Sequence, residues 1–152
     1  MNDTYVNGQD GATVVVVDAG ISSWLAGIPA QVHLPGWVLL ELGVNDMTAS
    51  TTEAAYKTAL GHMLDTLHAA WPDAQFRVGY PWKQGFDAQS DTMAGWIDNV
   101  LASRASYSAT GPDERAFLKG ADDGSSNTFD GIHPNATGYD LWAAEWKTAM
   151  GY

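Results

Sequence analysis

An aspartate and a histidine stand three positions apart near the end of the chain, at Asp130 and His133. Their surroundings, Asp-Gly-Ile-His-Pro-Asn-Ala-Thr-Gly-Tyr, form a stretch interrupted by glycine and proline just before a helix-like pattern. In enzymes a histidine can carry a proton while a carboxylate fixes its tautomer and stabilises its charged form. The same residue types are also ordinary in surface turns. The spacing therefore predicts either a catalytic acid–histidine pair or a turn that enters the last helix.

The bulk composition indicates one globular domain covering residues 1–152. A chain of 152 residues that is 45% apolar can bury a core without covalent support. The absence of cysteine excludes a disulfide framework, a cysteine nucleophile and a thiolate metal site. Apolar runs are short, so we expect neither a signal peptide nor a membrane span within the chain. The chain is thus expected to be soluble, and its compartment is left open.

The net charge of −11 narrows the classes of partner. Such a chain is repelled by phosphate backbones and by anionic membrane surfaces, so nucleic acid is not expected as a partner. No two histidines have zinc spacing, and residues 122–124 do not fit an EF-hand loop. We therefore expect no metal and no other cofactor.

Predicted strands alternate with predicted amphipathic helices along the chain. An apolar run without alternation is typical of a strand covered on both faces, and an apolar stripe every three or four residues indicates a helix. The predicted strands are the Thr-Val-Val-Val-Val run at 13–17, then 37–42, 75–80 and a short one at 116–118. The predicted helices cover about 22–30, 50–71, 90–101 and 137–150, with a loop at 106–114. The clearest stripe, on the second helix, consists of Tyr56, Leu60, Met63, Leu64, Leu67 and Trp71. This order predicts an α/β fold with three α/β/α layers and a mostly parallel sheet.

Polar residues follow the predicted strands at the places where those strands end. Residues 18–20, 43–46 and 80–86 each come directly after a strand. In open parallel sheets, ligands bind outside the carboxyl ends of the strands. We therefore expect these segments to meet at one edge of the sheet, which the loop at 130–134 can also reach.

Two of these segments together resemble a known superfamily. Gly43-Val44-Asn45-Asp46 after a buried strand, with Asp130-Gly-Ile-His133-Pro before the last helix, resembles the SGNH (GDSL-type) hydrolases. The resemblance runs from about Val14 to the C-terminus. It implies a flavodoxin-like α/β/α fold and an activity among those of esterases, lipases, thioesterases and carbohydrate deacetylases. The substrate that it implies is a small ester or an acylated carbohydrate.

The resemblance also assigns roles to individual residues. It implies that His133 is the general base and that Asp130 is its orienting acid. It implies that the side-chain amide of Asn45 and the backbone N–H of Gly20 donate to the developing oxyanion. A fixed donor of this kind contributes about 3–4 kcal/mol of transition-state stabilisation. Asp46 is expected to bond backbone locally and to support the loop.

The chain differs from the family at the residue that should be the nucleophile. In SGNH hydrolases a Gly-Asp-Ser-like block follows the first strand, and no such triplet occurs here. A strand–helix–strand unit takes roughly 30 residues, yet few precede residue 13, so the first strand is expected to be missing or rearranged. One remedy places residues 13–17 in the centre of the sheet beside 37–42, which makes Ser22 or Ser23 the substitute nucleophile. Another is a strand from a homo-oligomer, a second chain or an upstream segment.

Two functions therefore remain open, with a third less favoured. The first is a serine esterase of the SGNH type that cleaves carboxylesters or carbohydrate O-acetyl esters. The second is a catalytically inactive domain of the same fold that binds a ligand such as a glycan, through Tyr80, Trp82 and Phe86. The third, a flavodoxin-like nucleotide binder, is disfavoured because no glycine-rich phosphate loop follows Val17.

Overall fold

Three parallel strands form the centre of the computed structural model, which describes residues 10–28, 34–119 and 127–152. They are β1 (Trp37–Leu40), β2 (Gln75–Tyr80) and β3 (Ser108–Asp113), in the order β1-β2-β3. Trp37 is level with Gln75, and Phe76 is level with Ser108. The α/β class and the parallel sheet are confirmed. Residues 29 and 30, at the end of a predicted helix, and residues 122–124 lie outside the described residues.

Six helices flank the sheet within the described part of the chain: α1 (Val14–Ala26), α2 (Val44–Ala49), α3 (Glu53–Ala70), α4 (Asp87–Ala102), α5 (Glu114–Phe117) and α6 (Ala136–Ala149). The apolar stripe expected on the second predicted helix lies on α3 and on Trp71, the residue that ends this helix, and is buried throughout, as predicted. Thr52 begins α3, since its side chain accepts a hydrogen bond from the Ala55 N–H at 3.3 Å. None of the helices in the described ranges is both long enough and apolar enough to cross a membrane.

The two faces of the sheet are covered by different helices. On one face Phe76 and Val78 are fully buried in the main core, together with residues of α3 and α4. On the other face the Arg77 guanidinium donates to the Ala149 carbonyl at 2.9 Å. The ring of Trp146 also lies over Gly111, where an added Cβ would stand 2.8 Å from it. Alternate residues of the strands therefore face α3 and α4 or face α6, which makes the three predicted layers.

The prediction of a strand at residues 13–17 is wrong, because these residues begin helix α1. The β-branched residues disfavour a helix by only about 0.5 kcal/mol each, and packing against α3 outweighs this cost. Val14 and Ile21 are buried, and Val17 and Trp24 pack against the same core. These four positions recur every three or four residues, a helical spacing that the strand interpretation overlooked. The remedy that paired residues 13–17 with residues 37–42 is therefore also wrong.

The segment 106–118 also differs from the prediction. Residues 108–113, predicted within a loop, form β3, and residues 114–117, overlapping the predicted fourth strand, form the short helix α5. The β3 sequence Ser-Ala-Thr-Gly-Pro-Asp carries little strand propensity. It pairs with β2 alone among the described residues, and proline is tolerated on such an edge. Asp113 then caps α5 by accepting the Arg115 N–H at 3.1 Å.

The opposite edge of the sheet is β1. Within the described ranges β1 pairs only with β2, and Leu39 is 42% exposed. The chain continues from β1 through Glu41 and Leu42 into Gly43 and α2. The carboxyl end of this edge strand therefore leads to Asn45.

Candidate active site

The structure brings Asp130 and His133 into direct contact. The Asp130 Oδ2 atom lies 2.8 Å from His133 Nδ1, and the side chains of His133 and Asp130 are 67% and 52% exposed. Asp130 Oδ1 accepts the backbone N–H groups of His133 at 2.8 Å and Ile132 at 3.0 Å. The His133 amide, the His133 ring and the Ile132 amide hold the pKa of Asp130 down at about 2. The carboxylate is therefore ionised at neutral pH and fixes the orientation of the ring, leaving Nε2 for proton transfer.

The loop that carries the pair is held at several points. The Gln84 N–H donates to the Gly131 carbonyl at 2.8 Å, and the Phe129 N–H donates to the His133 carbonyl at 2.8 Å. The Gly131 N–H donates to the Thr128 hydroxyl at 3.1 Å. Gly131 has φ +84°, a conformation that glycine adopts without strain. The exposed His133 therefore lies on a loop that hydrogen bonds hold in place.

Asn45 lies in the first turn of α2, directly after Gly43. Gly43 has φ +128°, and an added Cβ there would stand 2.6 Å from the sulfur of Met93, so only glycine fits. The Asn45 Nδ2 atom donates to the Ala12 carbonyl at 3.0 Å. A side-chain amide has two N–H groups, so one more is available for an oxyanion. The same bond places the turn before α1 beside Asn45.

Asp46 supports the site over a longer range than predicted. Its carboxylate is fully buried and accepts the Val14 N–H at 3.0 Å, across 32 positions of the sequence. The expectation that Asp46 bonds only nearby backbone is therefore incomplete. Burial raises the pKa of Asp46, and the hydrogen bond from Val14 lowers it. Asp46 thus ties the start of α1 to the residue next to Asn45.

Asp46→Ala is expected to lower the free energy of unfolding by about 1–3 kcal/mol, because it leaves the buried Val14 N–H without an acceptor. Asp46→Asn keeps an oxygen at this position and is expected to cost less. Urea unfolding followed by circular dichroism measures both. Equal losses in the two variants would show that the hydrogen bond to Val14 is not the cause.

Gly20 and Ser22 do not lie on a turn after a strand, as predicted, but inside helix α1. In a helix interior the backbone N–H is bonded to the carbonyl four residues earlier. The N–H of Gly20 is therefore occupied, and its expected place in an oxyanion hole is wrong. Ser22 is exposed on the same helix. The backbone carbonyl that contacts the Asn45 side chain belongs to Ala12, which lies just before α1.

Trp82 also differs from its expected role. The side chain is only 2% exposed and packs with Phe117, Leu118 and Trp142. Its indole N–H donates to Asp87 at 2.9 Å. No ring face is open to a substrate, so the expectation that Trp82 contacts substrate is wrong. The exposed aromatic residue beside the pair is Phe129, 77% exposed, which the sequence analysis did not single out.

Two buried glutamates lie near the carboxyl ends of the strands, and no motif in the sequence indicates either of them. Glu114 is 4% exposed, and burial is the main cause that raises its pKa to about 7. Both carboxylate oxygens of Glu41 are buried without a hydrogen-bond partner among the described residues. Burial, and then the charge of Glu114, raises the pKa of Glu41 well above its ordinary value. Gly79 makes room for Glu41, since an added Cβ would stand 2.8 Å from its carboxyl carbon.

A groove of about 340 Å³ opens between α2 and α4. It is lined by Asp46, Met47, Ser50, Thr51, Ala88, Gln89, Thr92, Met93 and Trp96. The lining includes Asp46, the neighbour of Asn45 in the sequence, but neither Asn45 nor His133. Its hydroxyl, amide and apolar side chains suit a small ligand of mixed polarity.

The remaining histidines of the described ranges lie away from the pair. His62 contacts Asp18 at 2.7 Å on the surface between α1 and α3. His68 stacks on Tyr107 with ring centroids 3.8 Å apart. No group of three or more potential metal ligands is gathered anywhere in the parts of the chain that the structure describes.

Comparison with solved structures finds proteins of the same fold. A family 3 carbohydrate esterase from Clostridium thermocellum has a TM-score of 0.70 and 19% identity, covering 93% of this chain and 66% of its own. A carbohydrate esterase family 3 structure from Talaromyces cellulolyticus has a TM-score of 0.70 and 21% identity, with 94% and 68% covered. An acetyl esterase with a serine-to-alanine substitution and an acetate ion has a TM-score of 0.74 and 19% identity, with 95% and 69% covered. At these identities the likeness establishes the fold.

Comparison with curated proteins gives no significant match. Residues 2–141 match the GDSL-like Lipase/Acylhydrolase family, so the match extends over most of the 152 residues. It includes Asn45, Asp130 and His133, the residues on which the resemblance was first based. The chain therefore belongs to the GDSL-like lipase/acylhydrolase family.

Proposed function

We propose that this protein is an ester hydrolase of the SGNH type, acting on carboxylesters or on O-acetyl esters of carbohydrates. The observation that carries the proposal is the 2.8 Å contact between Asp130 and the Nδ1 atom of an exposed His133. This contact leaves Nε2 to accept a proton from a nucleophile and to return it to the leaving alcohol. Structural similarity to an acetyl esterase and to family 3 carbohydrate esterases supports the choice of substrate class.

In this proposal Asn45 stabilises the oxyanion. The amide N–H that is not bonded to Ala12 is the donor, and the turn at Gly11 and Ala12 stands beside it. This turn replaces Gly20 as the place to seek a second, backbone donor. The groove next to Asp46 is the proposed place for part of the ester.

The serine that His133 would activate has two proposed sources. Ser22 belongs to this chain, but it lies inside helix α1 and not on a turn after a strand. The alternative is a further strand on the edge of β1 that is unpaired among the described residues, supplied by a homo-oligomer or by a second chain. Because β1 leads into Asn45, a parallel strand on that edge would also end near the site.

A fluorophosphonate probe tests the proposal, together with the hydrolysis of p-nitrophenyl acetate and of acetylated xylo-oligosaccharides. We expect turnover and labelling of a single serine, which peptide mass spectrometry then locates. Ser22→Ala or Ser23→Ala abolishes labelling if that serine is the nucleophile, and Ser106→Ala, at an exposed turn position, is the control. Protein that neither hydrolyses these esters nor reacts with the probe would refute the proposal.

A second candidate function is that of a binding domain without catalysis. One observation favours it: among the described residues, no serine or threonine hydroxyl is hydrogen-bonded to His133. Because Trp82 is buried, Phe129 would be the ring that contacts a glycan. Calorimetry with acetylated and plain oligosaccharides tests this function, and an absence of binding at millimolar ligand would exclude it.

A further inference from the structure

Glu114 is a buried carboxyl at the carboxyl end of β3 that the proposed hydrolysis does not use. Its Oε2 atom accepts the backbone N–H of Trp82 at 2.9 Å, in a buried hydrogen bond between segments 32 positions apart. Trp82 belongs to the loop after β2. The contact therefore joins the start of α5 to the loop after the neighbouring strand.

The loop after β2 is firmly held near Trp82. The indole of Trp82 is buried against Phe117 and Leu118, and its N–H donates to Asp87 in the first turn of α4. The carboxyl group of Glu114 thus holds the backbone of Trp82, and the Trp82 side chain is held as well. A displacement of the Trp82 backbone would therefore also displace the residues that follow it in the loop.

Two residues further on, the same loop contacts the histidine loop. The Gln84 N–H donates to the Gly131 carbonyl at 2.8 Å. The side chain of Gln84 fills the space beside Gly131, where an added Cβ would stand 2.7 Å from the Gln84 Cβ. Gly131 lies between Asp130 and His133, so Gln84 packs directly on the loop that carries the pair.

We propose that Glu114 is a positioning residue of this site, acting on His133 through Trp82, Gln84 and Gly131. Glu114 does not touch substrate; it sets the position of the backbone on which the histidine loop rests. The proposal rests on the proposed hydrolytic function for its kinetic consequence. Its structural part is that Glu114 supports Gln84. This part can be tested even if the protein hydrolyses no ester.

The substitutions Glu114→Ala and Glu114→Gln separate this role from simple packing. Alanine removes the acceptor of the Trp82 N–H, whereas glutamine keeps an oxygen of the same reach. Glu145→Ala, at an exposed position of α6, is the matched control for the loss of an acidic residue. Where Glu114→Ala does not fold, Gly131→Ala disturbs the other end of the same series of contacts.

The test combines hydrogen exchange with kinetics on p-nitrophenyl acetate. For Glu114→Ala we expect about tenfold faster exchange of the Gln84 amide and about tenfold lower kcat, with KM unchanged within about twofold. We expect Glu114→Gln and Glu145→Ala to behave like the wild type, and Gly131→Ala to lower kcat. Unchanged exchange at Gln84, faster exchange with unchanged kcat, or an equal loss in Glu114→Gln would overturn the proposal. If the wild type hydrolyses no ester, the proposed function fails, and the exchange data alone decide the support of Gln84.

Discussion

Replacing His133 by alanine is expected to lower the turnover of short acyl esters by about 10³-fold, because the substitution removes the proposed general base that accepts the proton of the nucleophile. The fold should be unaffected, since the His133 side chain is 67% exposed. Initial rates with p-nitrophenyl acetate measure the effect, and urea unfolding checks the stability. A variant that keeps more than about a tenth of the wild-type kcat would exclude His133 as the general base.

Asp130→Asn tests the partner of His133 with the loop preserved. The asparagine oxygen can still accept the N–H groups of Ile132 and His133, but the side chain no longer carries a charge. We expect kcat to fall by about 10²- to 10⁴-fold, because the imidazolium loses its counter-charge and the tautomer is no longer fixed. Asp140→Asn, an exposed acidic residue on α6, is the control and should keep full activity.

The free energy of unfolding is also expected to fall as the pH rises. The folded protein keeps Glu114 protonated to higher pH than the unfolded chain does, because burial raises its pKa from 4.5 to about 7. A group that binds more protons in the folded state stabilises it fully below the unfolded pKa and progressively less above it. Between pH 4.5 and 7 this shift corresponds to a loss of about 3 kcal/mol in the free energy of unfolding. Glu41, whose pKa is also raised, adds to the loss in the same direction.

Urea unfolding at pH 5 and at pH 8 measures this dependence. Glu41→Gln resembles the protonated acid in shape and cannot ionise, so we expect it to lose less stability than the wild type between the two pH values. Glu145→Gln is the control, since that side chain is exposed and should leave the difference unchanged. A wild-type protein equally stable at both pH values would show that the two buried carboxyls are not held protonated.

The helix α3 and the strands β1 and β2 follow closely from their residue patterns. The stripe from Tyr56 to Trp71 is long and periodic. The apolar run at Trp37–Leu40 and the alternating segment Gln75–Tyr80 are short and bounded by turn residues. In these segments local preference and tertiary packing favour the same structure. Their ends were predicted within a few residues for that reason.

The segments at Val14–Ala26 and Ser108–Asp113 were predicted wrongly because packing outweighs local preference there. Four consecutive valines favour a strand, yet Asp46 holds the Val14 N–H and α3 covers the stripe that begins at Val14. The polar Ser108–Asp113 segment forms a strand because β2 supplies hydrogen-bond partners along one side. The misplacement of Gly20 and Ser22 follows from the first of these two errors.

The sequence by itself determined the α/β class, the family and the pairing of Asp130 with His133, because motif spacing and strong periodicity are local properties that a chain displays before it folds. Only the tertiary structure decided which backbone lies beside Asn45, that Trp82 is buried, and that Glu114 supports the loop after β2. These are contacts between segments far apart in the sequence. They depend on the relative positions of packed helices and strands, which no local pattern records.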